Sequence, residues 1–221
     1  MSVLSVVAVP EGIAMAADSR LTRRRGTKNQ NGAACIVEYT LSDNVQKLVL
    51  LSKTPVGIGF VGKAIINGRT VSDYLRLFEI ECVEKDDTPE MVASKLFRKR
   101  NECPETLFYV CGYNNDEPFV YLIGTDRIVR RNVSADNRVI YTAAWTGEKE
   151  ALAKLVNADP VMNIDMDTMP LKDAIDFSEF MVDVTIKYQR FSDRIQTCGG
   201  PIDVLVLTKD GAFWYRNKLK N

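Results

Sequence analysis

Histidine is missing from the 221-residue sequence, and this absence narrows the chemistry that the chain can perform. Without an imidazole the chain cannot assemble a Ser-His-Asp or Cys-His arrangement, an HExxH zinc site or a histidine general base. Enzyme classes that depend on those groups are therefore excluded. If the protein is a hydrolase, a different group must act as its base.

Net charge, long apolar runs and paired cysteines are missing as well. The 29 basic and 29 acidic residues cancel, so no overall field favours nucleic acid or an anionic membrane. No apolar run approaches the roughly 18 residues that a membrane-spanning helix requires. The cysteines are odd in number and form no CxxC pair, which favours a reduced, cytoplasmic chain over a disulfide framework or a zinc site. They are Cys35, Cys82, Cys103, Cys111 and Cys198.

What is present is the composition of a globular protein with a full core. Hydrophobic residues make up 46% of the chain and charged residues 26%. No repeat, linker or composition shift divides the sequence, so we expect one domain over residues 1–221. The one dense basic cluster, Arg23-Arg24-Arg25 with Lys28, is expected to be a solvated loop.

The amino-terminal residues 1–20 predict a β-hairpin, because two apolar runs surround the break Pro10-Glu11-Gly12. A targeting peptide would show a basic start, an apolar stretch and a small-residue cleavage site. Strand-like sequence stands in their place from the second residue onward. We therefore expect no targeting peptide, and we expect the first residues to be part of the fold.

The remaining segments fall into blocks of one type. Residues 21–44 are polar and form either a long connection or an extended hairpin. The later blocks are two buried strands (45–51 and 56–62), two helices (from 63 and from 87), a three-stranded meander (106–112, 119–124 and 139–144), two helices (148–156 and 171–188) and a hairpin (201–215). Segregated blocks favour an α+β fold with antiparallel sheets over βαβ units. The economical arrangement is a four-layer α/β/β/α sandwich of two antiparallel sheets flanked by helices.

Four motifs, in order along nearly the whole chain, resemble those of proteasome β subunits and their simpler bacterial relatives. Residues 12–20, GIAMAADSR, resemble the G-x-x-x-A-A-D-S-R signature of that family. Residues 44–48, NVQKL, resemble the strand of its catalytic lysine, and residues 60–62, FVG, its oxyanion-hole segment. Residues 198–204 and 209–211 resemble its S-G-G strand and E-D-G turn. The resemblance implies the fold and chemistry of an N-terminal-nucleophile (Ntn) hydrolase.

In this family the nucleophile is the first residue of the mature chain, sixteen positions before the acidic residue of the signature. Because 18 − 2 = 16, the resemblance implies Ser2 as the nucleophile once Met1 is removed. The α-amine of Ser2 would then be the general base, as in other N-terminal nucleophiles. Lys47 would favour the neutral amine and the developing alkoxide, and Asp18 would orient Lys47.

Three further site residues follow from the resemblance. Gly62 would present its backbone N–H to the oxyanion. Thr146 falls where the family has a supporting serine, although Trp145 replaces the first glycine of that turn. Asp193 is the candidate for a second acidic residue, but it lies five positions before Cys198 where the family spacing is three. Cys198 stands in the place of a serine and is expected to be a small buried residue.

The resemblance also implies a peptide or unfolded-protein substrate and a homo-oligomeric ring, with an ATPase unfoldase as a further candidate partner. No cofactor, metal, nucleic acid or membrane is expected. Two other functions remain open. The chain is a catalytically silent, ring-forming structural subunit if Met1 is retained, or it is a small-molecule amidohydrolase of the same superfamily.

Overall fold

The computed structural model describes residues 2–28, 34–156 and 163–219. Met1, on whose removal the expected nucleophile depends, lies outside these ranges. The described residues form a mixed α/β structure. Its strands are β1 (Val3–Val9), β2 (Gly12–Ala17), β3 (Leu21–Lys28), β4 (Ala34–Ser42), β5 (Leu48–Leu50), β6 (Gly57–Gly62), β7 (Ile65–Ile66), β8 (Arg69–Thr70), β9 (Thr106–Asn114), β10 (Glu117–Ile123), β11 (Ile128–Arg130), β12 (Thr142–Gly147), β13 (Asp203–Thr208) and β14 (Gly211–Arg216). Its α-helices are α1 (Val71–Cys82), α2 (Pro89–Arg98), α3 (Glu150–Val156) and α4 (Leu171–Arg190).

Two five-stranded antiparallel sheets contain most of the described strands. The first sheet has the order β12-β1-β2-β13-β14, and the second has the order β11-β10-β9-β6-β5. The other strands pair as two hairpins, β3 with β4 and β7 with β8. The amino-terminal hairpin of β1 and β2 is confirmed. It occupies the interior of the first sheet, because β12 and β13 flank it.

The two sheets share an apolar core. Leu4 and Met15 of the first sheet and Tyr109 of the second belong to one buried cluster. The sheets approach closely at Gly59 of β6, where a Cβ atom would lie 2.3 Å from Leu4 Cδ1. Glycine at this point of the strand leaves room for the ends of the Leu4, Leu48 and Met15 side chains, which a Cβ would force to shift.

The helices bury their apolar faces on the sheets. α4 packs on the first sheet, where Val182 and Val204 share a buried cluster. α1 and α2 pack on the second sheet, where Phe78 and Leu96 contact the same core. The predicted start of α2 is confirmed, since Thr88 caps its first turn. Within the described ranges, no helix combines the length and the apolar composition that crossing a membrane requires.

For residues 21–44 the sequence predicts either a long connection or an extended hairpin. The structure shows the hairpin, formed by β3 and β4, with residues 29–33 outside the described ranges. The prediction of a solvated loop for the basic cluster is wrong in conformation. Arg23, Arg24 and Arg25 are exposed, but they belong to β3, which pairs with β4 along its length. The side chain of Lys28 lies outside the described part.

Two segment boundaries in the middle of the chain are corrected. The helix expected from Lys63 begins at Val71, because a turn at Asn67-Gly68 first joins β7 to β8. The strand expected over 45–51 shortens to 48–50, since Val45 N–H donates to the backbone of the β2 exit at Ser19 instead of to a neighbouring strand.

The expected three-stranded meander is also wrong in its last strand. β9 and β10 pair as predicted, but the third strand of that sheet is the short β11 at Ile128–Arg130. The strand expected over 139–144 is β12, which joins the first sheet beside β1. A β-rich segment shows its conformation locally but not its pairing partner, which here lies about 140 positions away along the chain.

Candidate active site

The candidate site is centred on Asp18, which follows β2 and is fully buried. Its Oδ1 accepts from the Lys47 ammonium at 2.6 Å and from the Val3 N–H at 3.1 Å. Its Oδ2 accepts from the N–H groups of Gly199 at 3.0 Å and Arg20 at 3.2 Å. One cation and three backbone amides therefore compensate the buried negative charge.

Ser2 lies beside this carboxylate through its own peptide bond. The N–H that donates to Asp18 belongs to the peptide that joins Ser2 to Val3. On the other side, the Ser2 carbonyl accepts from Glu148 N–H at 2.8 Å. Gly147 has φ +96°, and a Cβ there would lie 1.8 Å from the Ser2 carbonyl oxygen, so only glycine fits. The backbone of Ser2 is therefore fixed from two sides.

Lys47 reaches Asp18 from the segment that precedes β5, and only 1% of it is exposed. The Lys47 carbonyl accepts from Phe60 N–H of β6 at 3.1 Å. A lysine within an apolar run is atypical unless it is paired, and its partner here is Asp18. Ser2, Asp18 and Lys47, which the sequence predicted together, are thus brought together by the fold. We refer to these three residues as the Asp18 cluster.

A second ion pair joins the same two segments nearer the surface. Arg20 donates from Nε and Nη2 to both carboxylate oxygens of Asp43, at 2.7 and 2.9 Å. This bidentate hydrogen bonding raises the pKa of Arg20 and lowers the pKa of Asp43. Because the pair is partly exposed, its contribution to stability is small. It fixes the exit of β2 against the segment that carries Lys47.

The segment after α4 completes the surroundings of Asp18. Besides donating to Asp18, Gly199 accepts from Ser19 N–H through its carbonyl at 2.9 Å. Cys198 is buried as predicted. Burial first, and then the charge of Asp18, raises the pKa of its thiol. The thiol therefore stays protonated, and a protonated, inaccessible thiol is a poor nucleophile.

Gly62 ends β6, two residues after Phe60, whose amide bonds the Lys47 segment. It is exposed and lies on the wall of a groove of about 1000 Å³. Leu21 and Thr22 at the start of β3 also line this groove, as does Ile65 of β7. The glycine predicted to bind an oxyanion thus borders an open groove rather than the closed core.

The other two predicted site residues occupy different surroundings. Thr146 is buried in β12, one residue before Gly147, which contacts Ser2. Asp193 is exposed in the loop after α4, and within the described residues it makes no hydrogen bond or ion pair with the Asp18 cluster. That loop reaches Asp18 through the backbone of Gly199 instead of through a carboxylate.

Sequence reasoning gave no role to Asp43 or to the amide of Gly199, both of which hold the site together. A backbone amide has no side-chain signal in a sequence. The sequence feature that could have indicated this amide is the glycine pair Gly199-Gly200, which the family resemblance assigns only to a terminal strand.

Comparison with known proteins finds a match of structure but no match of sequence. No family model matches the chain, and no curated protein matches it. A solved structure of a Gly-1 mutant of Anbu from Hyphomicrobium sp. strain MC1 matches with a TM-score of 0.63. The fold is similar to that of Anbu. The match covers 99% of this chain and 86% of the Anbu chain, at 16% sequence identity.

This result corrects the family assignment made from the motifs. The assignment to the proteasome β-subunit family is wrong, because no family model matches the chain. The motifs are short, and the chain departs from the family pattern at Cys198 inside one of them and at Trp145 in the turn that carries Thr146. At 16% identity, the similarity to Anbu establishes a shared fold and leaves the activity to be argued from the site.

Proposed function

We propose that the protein is a peptidase with Ser2 as its amino-terminal nucleophile after removal of Met1. Anbu is a bacterial proteasome-like protein, and the shared fold supports this class of function. The observation that carries the proposal is that one oxygen of Asp18 accepts from both the Lys47 ammonium and the Ser2–Val3 amide. Nucleophile, cation and orienting carboxylate are therefore neighbours.

In the proposed reaction, Ser2 Oγ attacks the carbonyl carbon of the scissile peptide, and the α-amine of Ser2 takes the hydroxyl proton. The buried charge of Lys47 favours the neutral amine and the developing alkoxide, and Asp18 holds Lys47 in place. The N–H of Gly62 stabilises the tetrahedral oxyanion, a contribution of about 3 to 4 kcal/mol for a comparable donor. Thr146 supports the residues around Ser2.

Collapse of the tetrahedral intermediate breaks the C–N bond. The α-ammonium returns its proton to the leaving amine, and an ester joins the acyl group to Ser2 Oγ. A water molecule then attacks the ester carbonyl carbon and gives a proton to the α-amine. The bond between the acyl carbon and Ser2 Oγ breaks, the α-ammonium returns the proton to Oγ, and the acid is released. Asp193 is exposed and, within the described residues, makes no hydrogen bond or ion pair with the Asp18 cluster, so it has no part in the proposed steps.

The groove that Gly62 lines favours a peptide or unfolded-protein substrate; of the predicted site residues, Gly62 alone belongs to its lining. A volume of about 1000 Å³ that is open to solvent accommodates an extended chain more readily than it encloses a small molecule. The hairpin of β3 and β4 lines this groove with residues 21–24, Glu38 and Leu41. A small-molecule amidohydrolase is therefore the second candidate function, to be decided by substrate.

The packing supports the four-layer sandwich of Ntn hydrolases in a single domain, with α4 outside the first sheet and α1 and α2 outside the second. By analogy we propose a cytoplasmic homo-oligomeric ring, which light scattering would contradict by finding a monomer at micromolar concentration. That an ATPase unfoldase is a partner of this protein stays a prediction. It is tested by asking whether cleavage of a folded substrate in cell extract depends on ATP.

The decisive experiment compares Ser2→Ala with the matched variant Ser94→Ala, which changes a serine of α2 far along the chain. Intact mass first establishes whether Met1 is absent. We expect wild type and Ser94→Ala to hydrolyse fluorogenic peptides and to be captured by an electrophilic peptide analogue, and Ser2→Ala to do neither. Retained hydrolysis in Ser2→Ala would sink the proposal.

The same experiment separates the other two functions. Retained Met1 with no hydrolysis supports the silent structural subunit. Turnover of small amides without cleavage of any peptide, abolished by Ser2→Ala, supports the amidohydrolase.

A further inference from the structure

Gln189, in the last turn of α4, buries its amide group against the segment that leads to Gly199. The residue is 8% exposed. Its Oε1 accepts from the backbone N–H of Thr197 at 2.9 Å and from that of Cys198 at 2.8 Å. Its Nε2 donates to the Thr197 hydroxyl at 3.1 Å. One side chain thus binds two successive amides and a hydroxyl.

These bonds lead directly to the candidate site. The amides of Thr197 and Cys198 point to Gln189, and the next amide in sequence, that of Gly199, donates to Asp18. The orientation of three consecutive peptide groups is therefore shared between α4 and the buried carboxylate. A long helix anchored on the first sheet is a rigid support, whereas residues 191–202 form no helix or strand of their own.

The residue type fits this arrangement. A glutamine carbonyl oxygen has two lone pairs and accepts two N–H groups at once, while its NH2 group donates. A hydrophobic side chain of similar size would leave two buried amides without acceptors, which is costly. The other buried polar side chains of α4, Ser178 and Thr185, donate their hydroxyls to carbonyls of their own helix. Gln189 instead bonds outside the helix, to the backbone of residues 197 and 198.

We propose that Gln189 is a positioning residue, which holds the Thr197–Cys198 backbone so that Gly199 N–H binds Asp18 and keeps that carboxylate aligned with Lys47. This inference rests on the proposed peptidase function for its kinetic consequence. Its structural part, the dependence of the Gly199–Asp18 hydrogen bond on Gln189, stands without it.

The test uses Gln189→Leu, which removes every hydrogen bond at similar volume, and Gln189→Glu, which keeps the acceptor for both amides. Gln196→Leu is the matched control, because its side chain lies in the same segment and only reaches Ile186 C=O at 3.4 Å. In Gln189→Leu we expect kcat to fall about tenfold with KM unchanged, as for a loss confined to the chemical step. Gln189→Glu should restore most of kcat, and Gln196→Leu should match wild type.

A spectroscopic readout makes the test independent of activity. An amide proton bound to a carboxylate resonates downfield, so the Gly199 amide should move upfield in Gln189→Leu and stay in place in Gln189→Glu. This shift can be recorded in the Ser2→Ala background, where failure of the proposed peptidase function has no influence on it.

A folded Gln189→Leu with an unchanged Gly199 resonance would overturn the inference, and so would a shifted resonance with unchanged kcat in an active enzyme. If Gln189→Leu does not fold, Gln189→Asn takes its place, because a side chain shorter by one methylene cannot reach both amides. The same two results then decide.

Discussion

The Lys47 ammonium and the Asp18 carboxylate form a completely buried ion pair, with 2.6 Å between Nζ and Oδ1. Taking two charges out of water is expensive, and it is compensated only when the remaining hydrogen-bonding capacity is satisfied. Asp18 meets this condition through three backbone amides. An arrangement of this cost is typical of a functional site, and it links the stability of the fold to the proposed chemistry.

Replacement of Lys47 by methionine should destabilise the protein strongly, because it leaves a buried carboxylate without its cation. We expect the free energy of unfolding to fall by about 3 to 5 kcal/mol. Urea denaturation measures this fall, with Lys209→Met, at an exposed turn lysine, as the control. The double variant with Asp18→Asn should lose less than the sum of the single losses. Additive losses would contradict the pairing.

A methyl group at residue 147 should displace Ser2. Gly147 and Gly68 both have positive φ, at +96° and +78°, but only at Gly147 would a Cβ meet another atom, the Ser2 carbonyl oxygen. Gly68→Ala therefore reports backbone strain alone, about 1 to 2 kcal/mol. Gly147→Ala should cost more and should also abolish covalent capture at Ser2. Equal effects of the two variants on both measurements would show that the contact has no influence on Ser2.

Stability should decline in alkaline solution because of buried thiols. Burial raises the pKa of Cys111 and of Cys198 above the ordinary value of 9.0. A group whose pKa is higher in the folded state contributes stability that is fully present below the unfolded pKa and lost above it. The free energy of unfolding should therefore fall as the pH rises above about 9. Urea titrations between neutral and alkaline pH measure this slope.

The matched variants are Cys111→Ala and Cys198→Ala, with Cys35→Ala on the exposed hairpin as the control. The first two should flatten the alkaline decline, and the control should reproduce the wild-type curve. A decline unchanged by both buried substitutions would assign it to other groups, such as Tyr109 and Tyr113, whose burial raises their pKa to about 12.

Loss of the negative charge at residue 193 should leave peptide hydrolysis unchanged. Asp193 is exposed, and in the described part of the chain it makes no hydrogen bond or ion pair with the Asp18 cluster. Asp18→Asn should abolish hydrolysis, because Lys47 then lacks its counter-charge. Steady-state kinetics of the two variants on one fluorogenic peptide provide the comparison. A large loss of kcat in Asp193→Asn would restore this residue to the site, as the family resemblance implied.

Local patterns predicted elements well where the deciding interactions are close in sequence. The hairpin of β1 and β2 follows from two short apolar runs around one break, and α2 follows from Thr88 and Pro89 at its start. The same reasoning failed for β12, whose partner β1 lies at the far end of the chain, and for residues 63–70, where a turn at Asn67-Gly68 forms before α1. Local propensity carries no information about such partners.

The residues of the candidate site also fall into those that the sequence predicted and those that it did not. Motif spacing brought Ser2, Asp18 and Lys47 to attention, and the fold places them together. The sequence does not predict the role of Gln189, because glutamine is common on amphipathic helices. Its role depends on the backbone amides that the fold brings next to its side chain. The spacing to Cys198 predicts Asp193 as a second acidic site residue. In the fold, the segment after α4 contacts Asp18 through the Gly199 amide instead.

The sequence by itself determined that no histidine chemistry is available, that strands and helices fall into separate blocks, and that a lysine lies within an apolar run. These properties belong to single residues or to neighbours along the chain. Tertiary structure alone decided which strands distant in sequence pair, where Asp193 lies and which amides surround Asp18. Long-range strand pairing depends on how whole faces of the sheets fit together. The partners of a buried charge depend in turn on which segments that packing brings next to it.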